Sequence, residues 1–439
     1  MIEKDFKLLA ESKAFMISAV CSKLDEHKSE EQTKRSLDEL QELLRTLGIE
    51  TRDEFIQNRK TIDPATIIGA GKLEEIGEKA KSSQVDFLVF DVELTASQVR
   101  NIRKITGLAV IDRVHVILEI FAKHASTKEA KIQIEIARLQ YILPRLSGFW
   151  SHLGRQKGGV GIRGGEGEQQ IELDRRIIRE RIEFFKRELI DVEKSRKEQK
   201  KRRYKKAVTA ALVGYTNAGK SSLMNRLCQV EILEENKLFA TLDSTYRMLN
   251  PDTHPPMILI DTVGFISNLP NTLIEGFKTT LESALEAELL IIVCDISDPH
   301  YKKHLQVTNE VLKDLGLENK ERFIVFNKLD LLEDKMTEKM TQRIYPNSFF
   351  VSTFNQKDIK NLREKIIDYF LKKQKQYDLF LPYERGDLHS MVARETNILK
   401  SENHEKGIFY RVRVPDFIFN RLNLESFIMA PDMEMGDRL

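Results

Sequence analysis

The sequence predicts an α/β protein with several domains. In two regions, apolar runs typical of buried strands alternate with helix patterns, and a purely helical stretch separates these regions. The length of 439 residues also exceeds what one core supports, since a domain holds roughly 100 to 200 residues. We expect an N-terminal α/β domain over residues 1–126, a helical hairpin with a glycine-rich loop and a basic linker over 127–206, a second α/β domain over 207–375 and a small α+β domain over 376–439.

The composition is typical of a globular protein from a reducing compartment. Hydrophobic residues make up 41% of the chain, and 70 basic against 68 acidic residues leave a net charge of +2, so nucleic-acid binding would need local patches. The 3 cysteines are far apart, which fits the cytosol and predicts no cysteine metal cluster. No run of the sequence is typical of a signal peptide or a membrane span. We expect a cytoplasmic protein and a monomer.

The N-terminal domain is predicted to contain parallel strands. KAFMISAVC predicts the first strand, and SLDELQELLRTLG predicts an amphipathic helix that ends at Gly48. Further along we expect a strand over residues 64–68, a turn over 69–72, a helix to Ala80 and the strand VDFLVF before Asp91. The turn, Gly-Ala-Gly-Lys, could hold an anion, but so short a motif is more often an ordinary turn.

Apolar residues between 127 and 206 recur at helical steps on two stretches. The first stretch has them at Ile132, Ile136, Leu139, Leu143 and Leu146, and the second at Ile171, Ile178, Ile182, Phe185, Leu189 and Val192. Two such seams predict helices that pair as an antiparallel hairpin.

The connection between these helices, GFWSHLGRQKGGVGIRGGEGEQQ, is rich in glycine. Its cations and stackable rings are Arg155, Lys157, Arg163, Phe149, Trp150 and His152. Ordering so much glycine costs entropy, which favours a loop that a partner orders, and phosphates and unpaired bases make RNA suitable. The alternative is a floppy surface loop. The basic run over 194–206, KSRKEQKKRRYKK, is either a solvated helix end or a phosphate contact.

The strongest motif follows an apolar strand over residues 208–213. It matches the G-x-x-x-x-G-K-[ST] phosphate loop, and a helix pattern, SSLMNRLC, comes directly after it. The glycines let successive N–H groups point at a polyphosphate, to which the helix adds its positive end. We expect the lysine at the β/γ-phosphates and the serine at Mg²⁺. The predicted binding residues are Gly214, Tyr215, Thr216, Asn217, Ala218, Gly219, Lys220 and Ser221.

Further motifs stand at strand ends in the same domain. PMILIDTVG and ERFIVFNKLD are two apolar strands with polar ends, and LLIIVCDIS is another strand between them. The residues at these ends are Asp261, Thr262, Val263, Gly264, Asn327, Lys328, Leu329 and Asp330. In an open α/β sheet the carboxyl ends of the strands form the ligand site. We expect Asp261 to act through a metal-bound water and the Gly264 N–H to meet the γ-phosphate, which makes the segments near 241 and 264 the predicted switches.

The pair of Asp330 and Asn327 favours guanine over adenine. Guanine offers N1–H and N2–H₂ donors to a carboxylate and acceptors to an amide, whereas adenine leaves these groups mismatched. Such mismatches discriminate by factors on the order of 10⁴. We therefore expect GTP with Mg²⁺, which Ser221 would bind together with a threonine of FATLDSTYR, either Thr241 or Thr245.

Phe265 and Ile266 follow Gly264, where many GTPases have a glutamine that orients the attacking water. Neither side chain can orient water, and we expect no other polar group of suitable length next to Gly264. The sequence therefore predicts GTP hydrolysis that is slow alone and stimulated by a partner. Beyond the phosphate contacts of Lys220 and Gly264, no catalytic residue is assigned.

Over nearly its full length the chain resembles the HflX family, ribosome-associated GTPases of the Obg-HflX branch. The matching segments are FDVELTASQVRNI, WSHLGRQKGGVGIRG, GYTNAGKSS, LFATLD, DTVGF, NKLD and DLFLPYERGDL. The resemblance implies a Ras-like domain over 207–375 and a glycine-rich loop that reaches the catalytic centre of the large ribosomal subunit. It also implies GTP-dependent binding to that subunit and its RNA, not to DNA, with splitting or rescue of stalled ribosomes under stress, or a role in ribosome biogenesis.

The resemblance also implies roles for particular residues. By the family pattern, Ser221 and Thr241 bind Mg²⁺. The segments it adds to the nucleotide site consist of Phe239, Ala240, Thr241, Leu242, Asp243, Ser352, Thr353 and Phe354. Of these, Thr353 would contact guanine through its backbone N–H.

Two other functions stay open on the sequence. One is an ATP-driven RNA remodeller with a second nucleotide site in the N-terminal domain, near Gly71 and Lys72. The other is a membrane-associated regulatory G protein, which the missing lipidation motif disfavours. In the C-terminal domain we expect the strands YDLFLP and GIFYRVRVP, a helix after Asp387 and no regular structure from Asn423 onward.

Overall fold

The computed structural model describes residues 12–21, 30–146, 165–204, 207–229, 239, 245–250, 254–266 and 284–429. The chain divides into two compact units. The first comprises Met1–Ser195, Glu235–Asp243 and Asn268–Thr279, and the second comprises Arg196–Glu234, Ser244–Ser267 and Thr280–Leu439. Both units mix helices with sheets, as the α/β prediction requires. The division into four domains remains a prediction.

The first unit contains a parallel sheet with helices packed on it. Its elements are β1 (Lys13–Cys21), α1 (Glu30–Leu47), β2 (Glu50–Arg59), α2 (Ala70–Ser82), β3 (Phe87–Phe90), α3 (Ala96–Thr106), β4 (Ala109–Asp112), α4 (Arg113–His124), α5 (Lys128–Ile142) and α6 (Gly165–Tyr204). The 4-stranded sheet has the order β2-β1-β3-β4, and every neighbouring pair is parallel. Helix α6 extends from the first unit into the second.

The amphipathic helix α1 confirms its prediction, although it begins earlier, at Glu30. Its predicted apolar face is buried, namely Leu37, Leu40, Leu43, Leu44 and Leu47. Gly48 follows with a φ of 85°, a conformation that glycine adopts without steric cost and that ends the helix.

Two predictions for residues 64–72 are wrong. Residues 64–68 form a turn, because the Asp63 carboxylate accepts from Ala65 N at 2.9 Å and Ile67 N donates to the Asp63 carbonyl at 2.8 Å. The second strand of the domain is β2 instead, which pairs with β1 and which the sequence patterns did not reveal. The predicted turn over 69–72 is already the first turn of α2, which Gly69 precedes in an extended conformation.

Helices α5 and α6 form the predicted antiparallel hairpin. Their shared core consists of Leu139, Ile142, Leu146, Ile178 and Ile182. Lys128 pairs with Glu188 at 2.7 Å, and Arg181 pairs with Glu135 at 3.2 Å, which shows that the two helices run in opposite directions. Helix α6 begins at Gly165, so the predicted connection, which extends to residue 170, is wrong over 165–170. The cations and rings of that connection fall within 147–164, outside the described residues.

Buried polar groups join the base of the hairpin to the sheet. Arg145 lies in a 3₁₀ turn after α5, and its guanidinium donates to the Leu94 carbonyl at 2.5 Å and to Asp112 at 3.3 Å. The Asp112 carboxylate also accepts from Leu94 N, His115 N and Tyr141 Oη, each at 3.0 Å. Burial raises the pKa of Asp112, although the charge of Arg145 opposes that rise.

The second unit contains two further sheets. Its elements are β5 (Val208–Gly214), α7 (Lys220–Leu227), β6 (Thr245–Asn250), β7 (Met257–Asp261), β8 (Leu289–Asp295), α8 (Tyr301–Asp314), β9 (Arg322–Asn327), α9 (Lys335–Ile344), β10 (Phe349–Phe350), α10 (Gln356–Lys373), β11 (Lys375–Pro382), α11 (Gly386–Glu395), β12 (Asn397–His404), β13 (Gly407–Val414) and α12 (Asp416–Arg421). The 6-stranded sheet has the order β10-β9-β8-β5-β7-β6 and is parallel except for β6.

Strand β5 lies inside this sheet and is buried on both faces. Val208, Ala210 and Leu212 belong to one hydrophobic core, whereas Ala211 and Val213 belong to another. This alternation follows from the two-residue period of a strand. Strands β5, β7, β8 and β9 therefore present their carboxyl ends at a common edge.

The C-terminal sheet is antiparallel, in the order β11-β13-β12. Strands β11 and β13 and helix α11 confirm the prediction, whereas β12 was not foreseen. The expectation of no regular structure from Asn423 is wrong for its first residues. Leu424–Phe427 is a 3₁₀ turn with Leu424 buried, and Ile428 bridges to Leu379 of β11. Residues 430–439 lie outside the described part of the chain.

Candidate functional site

The predicted phosphate loop connects β5 to α7 at the carboxyl edge of the sheet. Gly219 precedes α7 with a φ of 86°, and a Cβ there would come within 2.3 Å of the Asn327 Nδ2 atom. Any larger residue would therefore clash as well as strain the backbone. Asn327 Nδ2 donates to the Ala218 carbonyl at 3.0 Å, which ties the end of β9 to the loop. Tyr215, Thr216 and Asn217 complete the turn between the two glycines.

Lys220, the predicted phosphate cation, is buried within its own loop. Its Nζ donates to the carbonyls of Gly214 at 3.2 Å and Tyr215 at 2.9 Å. Burial lowers the pKa of this ammonium group to about 8, and the charge of Asp261 opposes that shift. The lysine is thus held over the loop whose N–H groups are suited to a polyphosphate.

Two predicted metal-site residues are in direct contact. Ser221 Oγ donates to Asp261 Oδ2 at 2.7 Å, which joins the start of α7 to the end of β7. Oxygen atoms of this kind fit Mg²⁺, a hard cation that prefers carboxylate, hydroxyl and phosphate oxygens. Next to this pair, Thr262 Oγ1 donates to the Leu212 carbonyl at 2.7 Å, so its hydroxyl is hydrogen-bonded to the backbone of β5.

The segment after β7 pairs with the phosphate loop. Phe265 N donates to the Gly214 carbonyl at 3.0 Å, and Thr216 N donates to the Phe265 carbonyl at 2.7 Å. Val263, Phe265 and Ile266 are all buried, and Phe265 belongs to a hydrophobic core of the second unit. The phenyl ring therefore does not take the place of a water-orienting glutamine. Its backbone has a role that the sequence did not reveal.

The predicted base loops meet at the next strand ends. Lys328 has a φ of 61° and its Nζ pairs with Asp295 Oδ2 at 2.7 Å. Asp330 Oδ1 accepts from Ser352 Oγ at 2.5 Å, which orients the carboxylate expected to read guanine. The backbone of Leu329 donates to the Val351 carbonyl at 3.2 Å.

Hydrogen bonds to the backbone fix the Ser352–Thr353–Phe354 loop. Ser352 N donates to Asp358 Oδ2 at 3.1 Å, and Phe354 N donates to Ser352 Oγ at 3.2 Å. Thr353 is buried, whereas the ring of Phe354 is 75% exposed.

The remaining predicted residues belong to the segment 239–243. Ala240, Thr241, Leu242 and Asp243 lie outside the described residues, so the choice between Thr241 and Thr245 for Mg²⁺ remains a prediction. Thr245 begins β6 and pairs in register with Asp261. Phe239 is buried with a φ of 57°, and within the first unit its ring meets that of Phe121 edge to face, with 4.6 Å between centroids.

Two features of the site were missed at the level of sequence. The ring of His304 on α8 stacks on Tyr215 of the phosphate loop, with centroids 4.0 Å apart and planes 9° from parallel. Gly264 lies against Thr216, since a Cβ on Gly264 would come within 2.9 Å of the Thr216 Cγ2 methyl group. Neither contact has a local sequence signal, because each joins residues that are far apart in the chain.

The possible second nucleotide site near Gly71 and Lys72 lies within α2. Lys72 Nζ pairs with Glu75 Oε1 at 2.7 Å, and a Cβ at Gly71 would have no atom within 4 Å. No helix in the described parts of the chain is long and apolar enough to cross a membrane.

A G-x-x-x-x-G-K-S loop between strand and helix, with D-x-x-G and N-K-x-D segments at neighbouring strand ends, defines a P-loop GTPase. Three family models match the chain, described as GTP-binding GTPase N-terminal over residues 34–122, GTP-binding GTPase Middle Region over 124–203 and 50S ribosome-binding GTPase over 209–328.

Relatives named GTPase HflX match most of the chain. The protein from Lacrimispora saccharolytica is 41% identical and covers 91% of this chain and 94% of its own length. The one from Caldanaerobacter subterraneus is 38% identical over 95% of this chain and 94% of its own. That from Escherichia coli is 36% identical over 90% and 93%. A GTP-binding protein from Sulfolobus solfataricus, solved with GDP, is 24% identical with a TM-score of 0.43, over 81% of this chain and 98% of that one. The chain belongs to the HflX family of GTPases, and it hydrolyses GTP.

Proposed function

We propose that this GTPase binds the large ribosomal subunit and acts there as a nucleotide-dependent switch that splits or rescues stalled ribosomes under stress, or serves in ribosome biogenesis. The observation that carries the proposal is the match of residues 209–328 to a family of 50S ribosome-binding GTPases. We also propose that it works in the cytoplasm, as a monomer, on RNA and not on DNA.

The nucleotide is proposed to lie along the carboxyl edge of the 6-stranded sheet. The loop over residues 214–221 would bind the phosphates. Asn327, Asp330 and the loop over residues 352–354 would bind the base. The contact of Ser221 with Asp261 supports a metal at the phosphates, and Ser221 and Thr241 would hold Mg²⁺ there. When bound there, Mg²⁺ would neutralise the negative charge of the phosphates.

The hairpin is proposed to engage the ribosome. Its helices are joined by a packed seam and by the ion pairs of Lys128 with Glu188 and Arg181 with Glu135. A rigid hairpin can project a connection rich in glycine and cations into RNA, whose phosphates and unpaired bases suit such a segment. The basic run that ends α6 lies at the opposite end of that helix from the connection and supplies further positive charge for contact with phosphates.

Co-sedimentation with purified large subunits tests the proposal. We expect the protein to pellet with subunits when a non-hydrolysable GTP analogue is present and much less with GDP. The variant Lys220→Ala is the matched control, because it removes the phosphate cation without touching the hairpin, and it should pellet as weakly as the GDP form in both cases. Equal pelleting with both nucleotides, or none with either, would contradict a nucleotide-dependent ribosome switch.

A further inference from the structure

The side-chain hydroxyl of Thr216 is buried in the phosphate loop without a partner. Thr216 is 6% exposed, and its Oγ1 has no hydrogen-bond partner in the structure as described here. Other buried threonines of the second unit are satisfied, for example Thr262 by the Leu212 carbonyl and Thr341 by Tyr301. An unpaired hydroxyl shielded from water is costly, so its presence at a binding loop indicates a place for a ligand atom.

The position of Thr216 shows which part of a nucleotide it would meet. A Cβ built on Gly264 would lie 2.8 Å from Thr216 Cα, 2.9 Å from Thr216 Cγ2 and 2.9 Å from Lys220 Nζ. The methyl group of Thr216 and the Nζ of Lys220 therefore converge on one spot beside Gly264. The lysine of such a loop reaches the β- and γ-phosphates, and the Gly264 N–H is expected at the γ-phosphate. This spot therefore belongs to the terminal phosphate and not to the base.

Phe265, which follows Gly264, contributes no polar side chain to that spot. Phe265 turns its ring into the hydrophobic core and offers only its backbone, whose carbonyl already accepts from Thr216 N at 2.7 Å. The Thr216 hydroxyl is short, but it is attached directly to the loop, and a hydroxyl can both donate and accept. The hydroxyl shares its Cβ with the methyl group that lies beside Gly264, so a rotation about χ1 brings it to a group that GTP has and GDP lacks.

We propose that Thr216 Oγ1 hydrogen bonds to the terminal phosphoryl group of GTP and stabilises it during hydrolysis. The proposal rests on the assignment of GTP to this loop. In the transition state, negative charge is spread over the oxygens of the transferred phosphoryl group, and the hydroxyl donates to one of them. A donor that the loop holds in place before the reaction needs no reorganisation when that charge develops.

Two substitutions separate the hydroxyl from the shape of the side chain. Thr216→Val removes the hydroxyl and keeps the branched side chain, whereas Thr216→Ser keeps the hydroxyl and removes the methyl group. Each is compared with the unchanged protein in single-turnover GTP hydrolysis and in calorimetric titrations with GDP and a non-hydrolysable GTP analogue. Thr341→Val, which removes a buried hydroxyl on α9, is the matched control for loss of a threonine hydroxyl alone.

For Thr216→Val we expect hydrolysis to slow at least about tenfold, which corresponds to about 1.4 kcal/mol, with GDP affinity within about twofold of the unchanged protein. Thr216→Ser and Thr341→Val should hydrolyse GTP within about threefold of the unchanged protein. Normal hydrolysis by Thr216→Val would overturn the proposal. A parallel loss of GDP affinity would also overturn it, because it would show that the hydroxyl only supports the loop. If Thr216→Val fails to fold by circular dichroism, Thr216→Ala is judged by the same criteria.

Discussion

At the base end of the site, Ser352 Oγ donates to Asp330 and so orients the carboxylate that is proposed to read guanine. The carboxylate suits the N1–H and N2–H₂ donors of guanine, and its charge strengthens both hydrogen bonds. An amide in its place would offer a donor to a 2-amino group that is itself a donor. On this proposal, Asp330 sets the choice of base together with Asn327, and Ser352 orients the Asp330 carboxylate.

We predict that Asp330→Asn weakens GTP binding and favours xanthosine triphosphate, whose 2-oxo group accepts from an amide donor. Competitive titration with the two triphosphates measures the preference. Asp358→Asn is a useful control, because Asp358 holds the Ser352 backbone and should change affinity without reversing the preference. If Asp330→Asn binds GTP as before and xanthosine triphosphate no better, Asp330 does not read the base.

At the scale of elements, the segment after β7 is attached to the phosphate loop as a short added strand. The two hydrogen bonds between Gly214, Thr216 and Phe265 place Gly264 against Lys220. A terminal phosphate has to share this space, because Lys220 is its expected cation. The pairing therefore connects the nucleotide state to the position of residues 263–266.

We predict that a non-hydrolysable GTP analogue, unlike GDP, speeds amide hydrogen exchange at Phe265 and Thr216. The terminal phosphate should displace Gly264 and so open the two hydrogen bonds, whereas GDP leaves them closed. Hydrogen exchange read by mass spectrometry on peptides covering 214–218 and 262–266 measures the effect. Equal protection with both nucleotides would show that the pairing does not respond to the terminal phosphate.

The base of the hairpin depends on a different buried contact, between Asp112 and Arg145. Asp112 caps α4, accepts from Tyr141 and faces the guanidinium of Arg145, which stacks 3.6 Å from the Tyr141 ring centroid. Removing one partner of a buried ion pair leaves the other charge uncompensated and destabilises by about 3–5 kcal/mol.

We predict that Asp112→Asn lowers the free energy of unfolding by about 3–5 kcal/mol, because the guanidinium of Arg145 loses its buried counter-charge. Urea unfolding followed by circular dichroism measures the change, with Asp38→Asn on the exposed face of α1 as a surface control. The double variant Asp112→Asn with Arg145→Met should recover part of the loss. If Asp112→Asn changes the free energy of unfolding by less than about 1 kcal/mol, the contact of Asp112 with Arg145 is a weak ion pair and the prediction is wrong.

At the scale of the whole molecule, the slow hydrolysis expected of the free protein and the proposed ribosomal partner belong together. Phe265 cannot orient water, so correct positioning of the switch segments has to come from elsewhere. Each tenfold gain in rate needs only about 1.4 kcal/mol of transition-state stabilisation. A ribosomal surface that orders the switch segments can supply several such steps.

We predict that purified large subunits stimulate single-turnover GTP hydrolysis at least about a hundredfold, or roughly 2.7 kcal/mol. Deleting residues 157–164 should reduce this stimulation and impair splitting of ribosomes, while the basal rate stays the same because the nucleotide loops are untouched. The deletion stops before Gly165, where α6 begins, and so leaves the hairpin helix whole. Fast hydrolysis by the free protein, or full stimulation of the deletion variant, would contradict the partner-activated switch.

The sequence by itself determined the features whose causes are local. The phosphate loop, the N-K-L-D segment, the buried strands around them and the helical seams of the hairpin each follow from short-range spacing, so they were predictable. The turn over residues 64–68 was predictable in principle from Asp63, but its apolar residues resemble the pattern of a buried strand. The strand β2, with several charged residues, lacked the apolar pattern that marks a strand.

Only the tertiary structure decided the contacts between distant segments. The pairing of Phe265 with Gly214, the unpartnered hydroxyl of Thr216 beside Gly264 and the burial of Asp112 under Arg145 join residues that no spacing rule connects. Helix and strand patterns reflect the period of the backbone, and that period acts over a few residues. Which polar groups meet, and which stay without a partner, depends instead on how the elements pack, and that packing places the group we propose to contact the terminal phosphate.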